Sequence, residues 1–153
     1  MSVDDNLKKL GLTLPNIPTP VANYVPWKRD GNTIYLSGQG PRDKDGKHIT
    51  GTVGKDVTIE QAYQYAQLVG LNLLAAAKAA AGGSLEKVEV LKVLGMVNAV
   101  PGFGDQPKVI NGCSDLFVNV LGDRGRHARS AVGMGSLPVN IPVEIEAVMR
   151  VVD

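Results

Sequence analysis

Cysteine occurs once in this sequence, at Cys113, so the chain can close no disulfide on itself and can build no multi-cysteine metal site. That usage fits a reducing compartment. Nor is one sign of charge in excess. The 153 residues carry a formal net charge of +1, which argues against a dedicated nucleic-acid binder, since such proteins present a strongly basic face or stripe. Long apolar runs are missing as well. The most apolar stretch, Leu71 to Ala81, is interrupted by Asn72 and Lys78 and dominated by alanine, so it does not qualify as a membrane span. The opening residues, MSVDDNLKKLGL, carry acids early and no extended apolar core, which argues against a secretory signal. No internal repeat, linker or low-complexity tract is visible. The expectation is a cytosolic protein with one core, for which this length and 44% hydrophobic residues suffice.

What is present has a clear rhythm. Residues 3–11 read as one short amphipathic helix with Leu7, Leu10 and Leu12 on its apolar side. Pro15, Pro18 and Pro20 then impose an extended, irregular segment. A hairpin follows: Ala22 to Trp27 and Thr33 to Ser37 flank Arg29-Asp30-Gly31-Asn32, where Asp-Gly supplies the positive φ of a tight turn. After a loop-rich stretch over 41–57, Thr58-Ile59-Glu60-Gln61 matches a capping box and opens a helix that stops at Gly82-Gly83. Its small face (Ala62, Ala66, Val69, Leu73, Ala76, Ala77 and Ala80) recurs at helical spacing and permits close packing on a sheet. Residues 87–98 alternate as a strand. A second helix starts near Pro107 with Asp105 as its cap and buries Ile110, Cys113, Leu116, Phe117 and Val120. Ala131 to Ser136 and Val143 to Val151 close the chain as strands, giving the order ββαβαββ, an α+β layer with helices on one face of a sheet.

Two helices cover only one face of such a sheet. The other carries apolar residues such as Val132, Met134, Val148 and Ile145 or its neighbours, and a bare face of that kind marks an oligomer contact. A homo-oligomer is therefore expected.

Few polar residues invite chemistry. Asp123, Arg124, Arg126, His127 and Arg129 cluster between the second helix and a strand, and composition alone is equally consistent with a solvated basic loop. Arg129 differs in standing at the mouth of a strand, where packing can aim its planar fork at a carboxylate. Glu144 and Glu146 point to one face of their strand, which is either a solvated face or one where a carboxylate is desolvated near a cation. His48 and His127 stand without ligand spacing and read as surface or loop histidines. Ser37 lacks the G-x-S-x-G frame and a histidine partner, and Cys113 reads as an inert core thiol. Tyr24 and Trp27 read as packing residues.

Four segments, in order, resemble the RidA-type (YjgF-type) proteins: Tyr24 in the first strand, Tyr35-Leu36-Ser37-Gly38-Gln39, Ile110-Asn111, and Ala128-Arg129-Ser130 leading through Leu137-Pro138 to Val143-Glu144-Ile145-Glu146-Ala147. The resemblance spans about residues 20–151, and the run from Arg129 to Ala147 needs no gap. The N-terminal extension, residues 1–19, and the loop around 98–107 look longer than in the best-known members, which places the chain in a longer subgroup and leaves 20–153 as the RidA-like domain. The resemblance implies a chorismate-mutase-like α+β fold, a mixed sheet with two main helices on one face plus the short N-terminal helix. It also implies a homotrimer with three clefts between subunits and release of ammonia from enamine or imine intermediates such as 2-aminoacrylate. On that basis Arg129 binds the substrate carboxylate and Glu144 orients or activates water, while Tyr24, Ser37, Gly38 and Asn111 line the pocket, some from the neighbouring chain. The position two after the arginine, often cysteine in the family, is Ala131 here; its backbone carbonyl remains, and any thiol role there is excluded.

The chemistry suits these groups. An imine of a 2-oxo acid is already electrophilic, so its hydrolysis needs placement more than power. A guanidinium on the carboxylate contributes ~2–5 kcal/mol when desolvated, and a carboxylate beside water can take a proton and return it to the departing amine. No metal or organic cofactor is required. Two other classes compete: a non-catalytic module holding small carboxylates in the same clefts, and the ribonuclease or translation-inhibitor role for which the family has also been named. The latter finds no paired histidines and no stacking aromatics on a basic strand.

Overall fold

The computed structural model describes residues 1–17 and 22–153. Pro18, Pro20 and the expected boundary between residues 19 and 20 lie outside the described residues.

Helix α1 spans Val3–Lys9 and is closed by a capping box in which Ser2 and Asp5 exchange hydrogen bonds. Its buried side is Val3 and Leu7, whereas Leu10 is 41% exposed; the helix ends two residues earlier than expected, which leaves Leu10 outside the apolar stripe. Two long-range bonds dock it: the Val3 amide donates to Glu86 (2.7 Å) and the Asn6 amide to the Val120 carbonyl (2.9 Å).

Strands β1 (Trp27–Asp30) and β2 (Thr33–Gln39) form the hairpin, but the turn is the two residues Gly31-Asn32, and the strand starts at Trp27 rather than Ala22. Gly31 has φ +59°, the left-handed conformation that a two-residue hairpin demands. Tyr24 therefore precedes the strand. Helix α2 (Ile59–Ala80) begins at the expected capping box, with Thr58 and Gln61 bonded reciprocally, and its small face is buried throughout. Strand β3 (Val88–Asn98) follows, then helix α3 (Gln106–Leu121), whose five expected core residues are all buried. Asp105 occupies the N-cap position without a side-chain cap bond; its carboxylate faces Lys108 at 3.5 Å instead. Strand β4 runs Ala128–Met134, three residues earlier than expected, because α3 ends in a tight 3-10 turn at Gly122–Gly125 that leaves no room for a longer loop. Strand β5 (Val143–Val151) completes the chain.

The sheet order is β1-β2-β5-β3-β4, antiparallel except for the β3–β4 pair. That one parallel pair follows from α3, which carries the chain back along the sheet before β4 begins. Both long helices lie on one face, as expected. Of Ile145 and its neighbours, Ile145 belongs to this covered face and is fully buried, so strand alternation puts Glu144 and Glu146 on the bare side. The bare face carries Tyr35 (50% exposed) and Val132 (38% exposed) beside Val148 and Leu94.

Helices α2 and α3 approach closely at Gly112, where any Cβ would run into the Tyr63 carbonyl of α2. Gly112→Ala is expected to lower the unfolding free energy by about 2 kcal/mol or more through this overlap, measured by urea denaturation. An unchanged midpoint would mean that the helices separate freely. The buried Asn98 side chain at the end of β3 donates to the Gly51 and Ile141 carbonyls (3.2 and 3.3 Å) and to Asn140 Oδ1 (3.0 Å). It thereby pins the turn that feeds β5, and with it the start of the strand bearing Glu144.

Candidate functional site

Arg129 sits inside β4, paired with Val93, and its side chain lies on the helix-covered face. Its fork is held by α3: Nη1 donates to Ser114 Oγ (3.0 Å) and Nη2 to the Pro107 carbonyl (3.3 Å). Pro107, Asn111 and Ser114 are spaced i, i+4, i+7, so they form one stripe of α3 and Asn111 lies on the same line as the two groups that hold the arginine. Ala131, two residues on, faces the same way and packs against the core. Arg129, Asn111 and Ala131 thus make one half of the expected site.

The other half lies on the opposite face of the sheet. Glu144 pairs with Met96, and Met96 with Val132, all three on the side away from the helices. Its carboxyl rests against Gly38, where a Cβ would come within 3.2 Å of Glu144 Cδ; the bare glycine is what lets the group settle there. Gly38 and Ser37 fall in a bulge of β2 between Leu36 and Gln39, which turns this stretch toward β5. Ser37 in turn holds the segment containing Tyr24: its amide donates to the Pro26 carbonyl (3.0 Å) and its hydroxyl to the Val25 carbonyl (2.6 Å). Tyr24 is half exposed there.

Partial burial pushes the Glu144 carboxyl above the usual glutamate range, and the like charge of Glu146 adds to the effect. Burial drives the Cys113 thiol far above the ordinary cysteine range, with Arg129 opposing, so it is an inert core group as expected. In the basic cluster, Arg126 pairs with Asp123 (3.4 Å) and Arg124 donates to the Val88 carbonyl (3.1 Å), whereas Arg129 is directed at the α3 stripe.

His127 is not the solitary loop histidine that its spacing suggested. It is half-buried, bonded to Ser114 (2.9 Å) and to the Gly125 carbonyl (2.6 Å), with its ring edge-on to Phe117. Burial holds its pKa below the usual histidine value; the Gly125 carbonyl opposes this and the Arg129 charge assists. Ser114 was missed, and His127 was read as a surface or loop histidine, because the two belong to no sequence motif. The one signal was the position of Ser114, one turn along the helix from Asn111.

One chain, then, carries the expected site residues in two groups that its own sheet keeps apart. A cleft of about 660 Å³ between Thr13, Asn16, the Arg42–Gly46 loop and Leu68–Asn72 of α2 contains none of these residues.

Residues 4–146 match the family described as "YjgF/chorismate mutase-like, putative endoribonuclease". The chain is 37% identical over 147 residues to "Protein TCP17" of Trypanosoma cruzi, covering 95% of this chain and 91% of that protein. It is 27% identical over 139 residues to a 2-iminobutanoate/2-iminopropanoate deaminase of Dermatophagoides farinae, covering 90% and 93%. A crystal structure of the protein Atu1372 from Agrobacterium tumefaciens, described as of unknown function, superposes with a TM-score of 0.89 at 47% identity, covering 98% of this chain and 92% of that one.

Proposed function

Because this chain belongs to the YjgF/chorismate-mutase-like family, we propose that it hydrolyses imines of small 2-oxo acids, in cavities closed by two copies of the chain. The observation that carries the reading is the division of the site. Arg129, Asn111 and Ala131 lie on one face of the sheet, Glu144, Gly38, Ser37 and Tyr24 on the other, and only a second copy can bring one set opposite the other. The apolar bare face supplies the contact surface, and a homotrimer gives three such cavities. A relative named as a deaminase of iminobutanoate and iminopropanoate supports the substrate class.

In this reading Arg129 of one copy grips the substrate carboxylate and fixes the imine carbon. Glu144 of the next takes one proton from water as its oxygen adds to the carbon of the protonated imine, giving a neutral carbinolamine. It then returns that proton to nitrogen, and as the C–N bond breaks the hydroxyl proton passes to the departing ammonia, leaving a 2-oxo acid and ammonium. A raised pKa suits a group that must both take and give a proton near neutrality. Tyr24, Ser37 and Gly38 line the water side, and Asn111 and Ala131 the carboxylate side.

The test is ammonia release in an assay that generates 2-aminoacrylate in situ, with wild type compared with a mixed assembly. Arg129→Ala and Glu144→Gln chains, each inactive alone, are refolded together at equal amounts. About a quarter of the shared cavities then regain both groups, and activity returns in that proportion. No ammonia above the uncatalysed rate would remove the reaction, and no recovery on mixing would remove the shared cavity.

A further inference from the structure

We propose that Ser114 and His127 are positioning residues that fix the Arg129 guanidinium in the orientation that receives a carboxylate; the inference rests on the reading of Arg129 as the carboxylate clamp. The geometry starts from a backbone carbonyl. Gly125 O can only accept, so His127 Nδ1, at 2.6 Å, carries the ring proton and Nε2 is left as an acceptor. Ser114 Oγ lies 2.9 Å from Nε2 and donates its single proton there. With that proton committed, Oγ presents only lone pairs to its remaining neighbour, and Arg129 Nη1 donates to it at 3.0 Å. The order Arg129 to Ser114 to His127 to Gly125 is therefore a directed chain in which each bond polarises the next.

The chain needs a neutral ring in a fixed plane. Phe117 meets the imidazole edge-on, with centroids 5.8 Å apart and planes at 78°. The 3-10 turn that offers Gly125 is itself tied to β3 by the bond from Arg124 to Val88 O. At the other end the Pro107 carbonyl takes an Nη2 proton, so the guanidinium is held at both of its terminal nitrogens. Of the five N–H groups of an arginine, two are thus spent on the protein and three remain, enough for a bidentate grip on a carboxylate. Ser114 stands in the body of α3 with its proton turned into the protein, so it acts through Arg129 rather than on substrate.

Full-length His127→Phe, Ser114→Ala and His127→Gln test this together. Phenylalanine keeps the ring volume beside Phe117 and loses the acceptor; glutamine keeps an acceptor within reach of Ser114. His127→Phe and Ser114→Ala are expected to raise KM for the imine, and the inhibition constant of pyruvate used as a carboxylate probe, about tenfold, while kcat changes less. His127→Gln is expected to return both to within about threefold of wild type. Nitrogen-15 NMR reads the arrangement without turnover: the His127 ring in its Nδ1–H form, and Arg129 guanidinium protons that exchange slowly in wild type and fast in His127→Phe. Wild-type constants and wild-type arginine signals in both His127→Phe and Ser114→Ala would overturn the inference and leave the imine reaction standing. Absence of both turnover and pyruvate binding in wild type would instead overturn the reading of Arg129, and the positioning role with it.

Discussion

Arg129→Ala is expected to lower kcat/KM for imine hydrolysis about a hundredfold or more while the protein remains folded. The clamp offers a carboxylate two charge-assisted hydrogen bonds, each contributing ~1.5–3 kcal/mol. Losing both removes at least ~3 kcal/mol of transition-state stabilisation, and each ~1.4 kcal/mol is tenfold in rate. The native state loses less. Only the bonds to Ser114 and Pro107 O disappear, each contributing ~1 kcal/mol, so the melting temperature should fall by no more than several degrees. Arg129→Lys should restore little, because an ammonium cannot present a planar fork to Ser114, the Pro107 carbonyl and a carboxylate at once. Near-wild-type turnover in a folded Arg129→Ala protein would eliminate the clamp.

Glu144→Gln is expected to reduce kcat about a hundredfold or more, the usual contribution of a positioned general base, with pyruvate binding largely kept. If activity persists at the wild-type level, the clefts hold small carboxylates without needing this base. The pH profile carries the same information. Burial first, and Glu146 second, raise the Glu144 pKa, so the rate should fall with decreasing pH at a value above the ordinary glutamate range. Glu146→Gln removes the like charge and should move that limb to lower pH. Stability runs the other way. The folded state binds this proton more tightly than the unfolded chain, so Glu144 destabilises the protein when ionised, and that contribution is relieved as pH falls through its folded pKa. A rate that drops in a range where the Glu144-dependent part of stability does not fall distinguishes loss of the base from loss of the fold.

How much of this was legible beforehand differs by residue. The capping box at Thr58 and the apolar stripe of α3 rest on contacts between near neighbours, and both appear as read. Tyr24 was placed in a strand because Ala22 to Trp27 leads into the hairpin turn, yet β1 starts at Trp27: pairing with β2 from a two-residue turn covers only four residues. Arg129 was read at a strand mouth and lies within the strand, since the tight turn after α3 starts β4 early. The bare face was left to Ile145 or its neighbours, because alternation shows which residues share a side but not which side receives the helices; it is the neighbours, and Ile145 is buried.

Sequence alone determined the helices, most of each strand and the absence of an intramolecular disulfide, because local periodicity, caps and turn residues act over a few positions of chain; the short set of polar residues worth testing came from the resemblance to the RidA-type proteins. Tertiary structure decided the rest. The parallel pairing of β3 with β4 and the antiparallel register of β5 put Arg129 and Glu144 on opposite faces of one sheet, and the return from α3 to β4 set His127 against Ser114. Those relations join residues 13 or more positions apart, and strand register and helix packing settle only when the core closes.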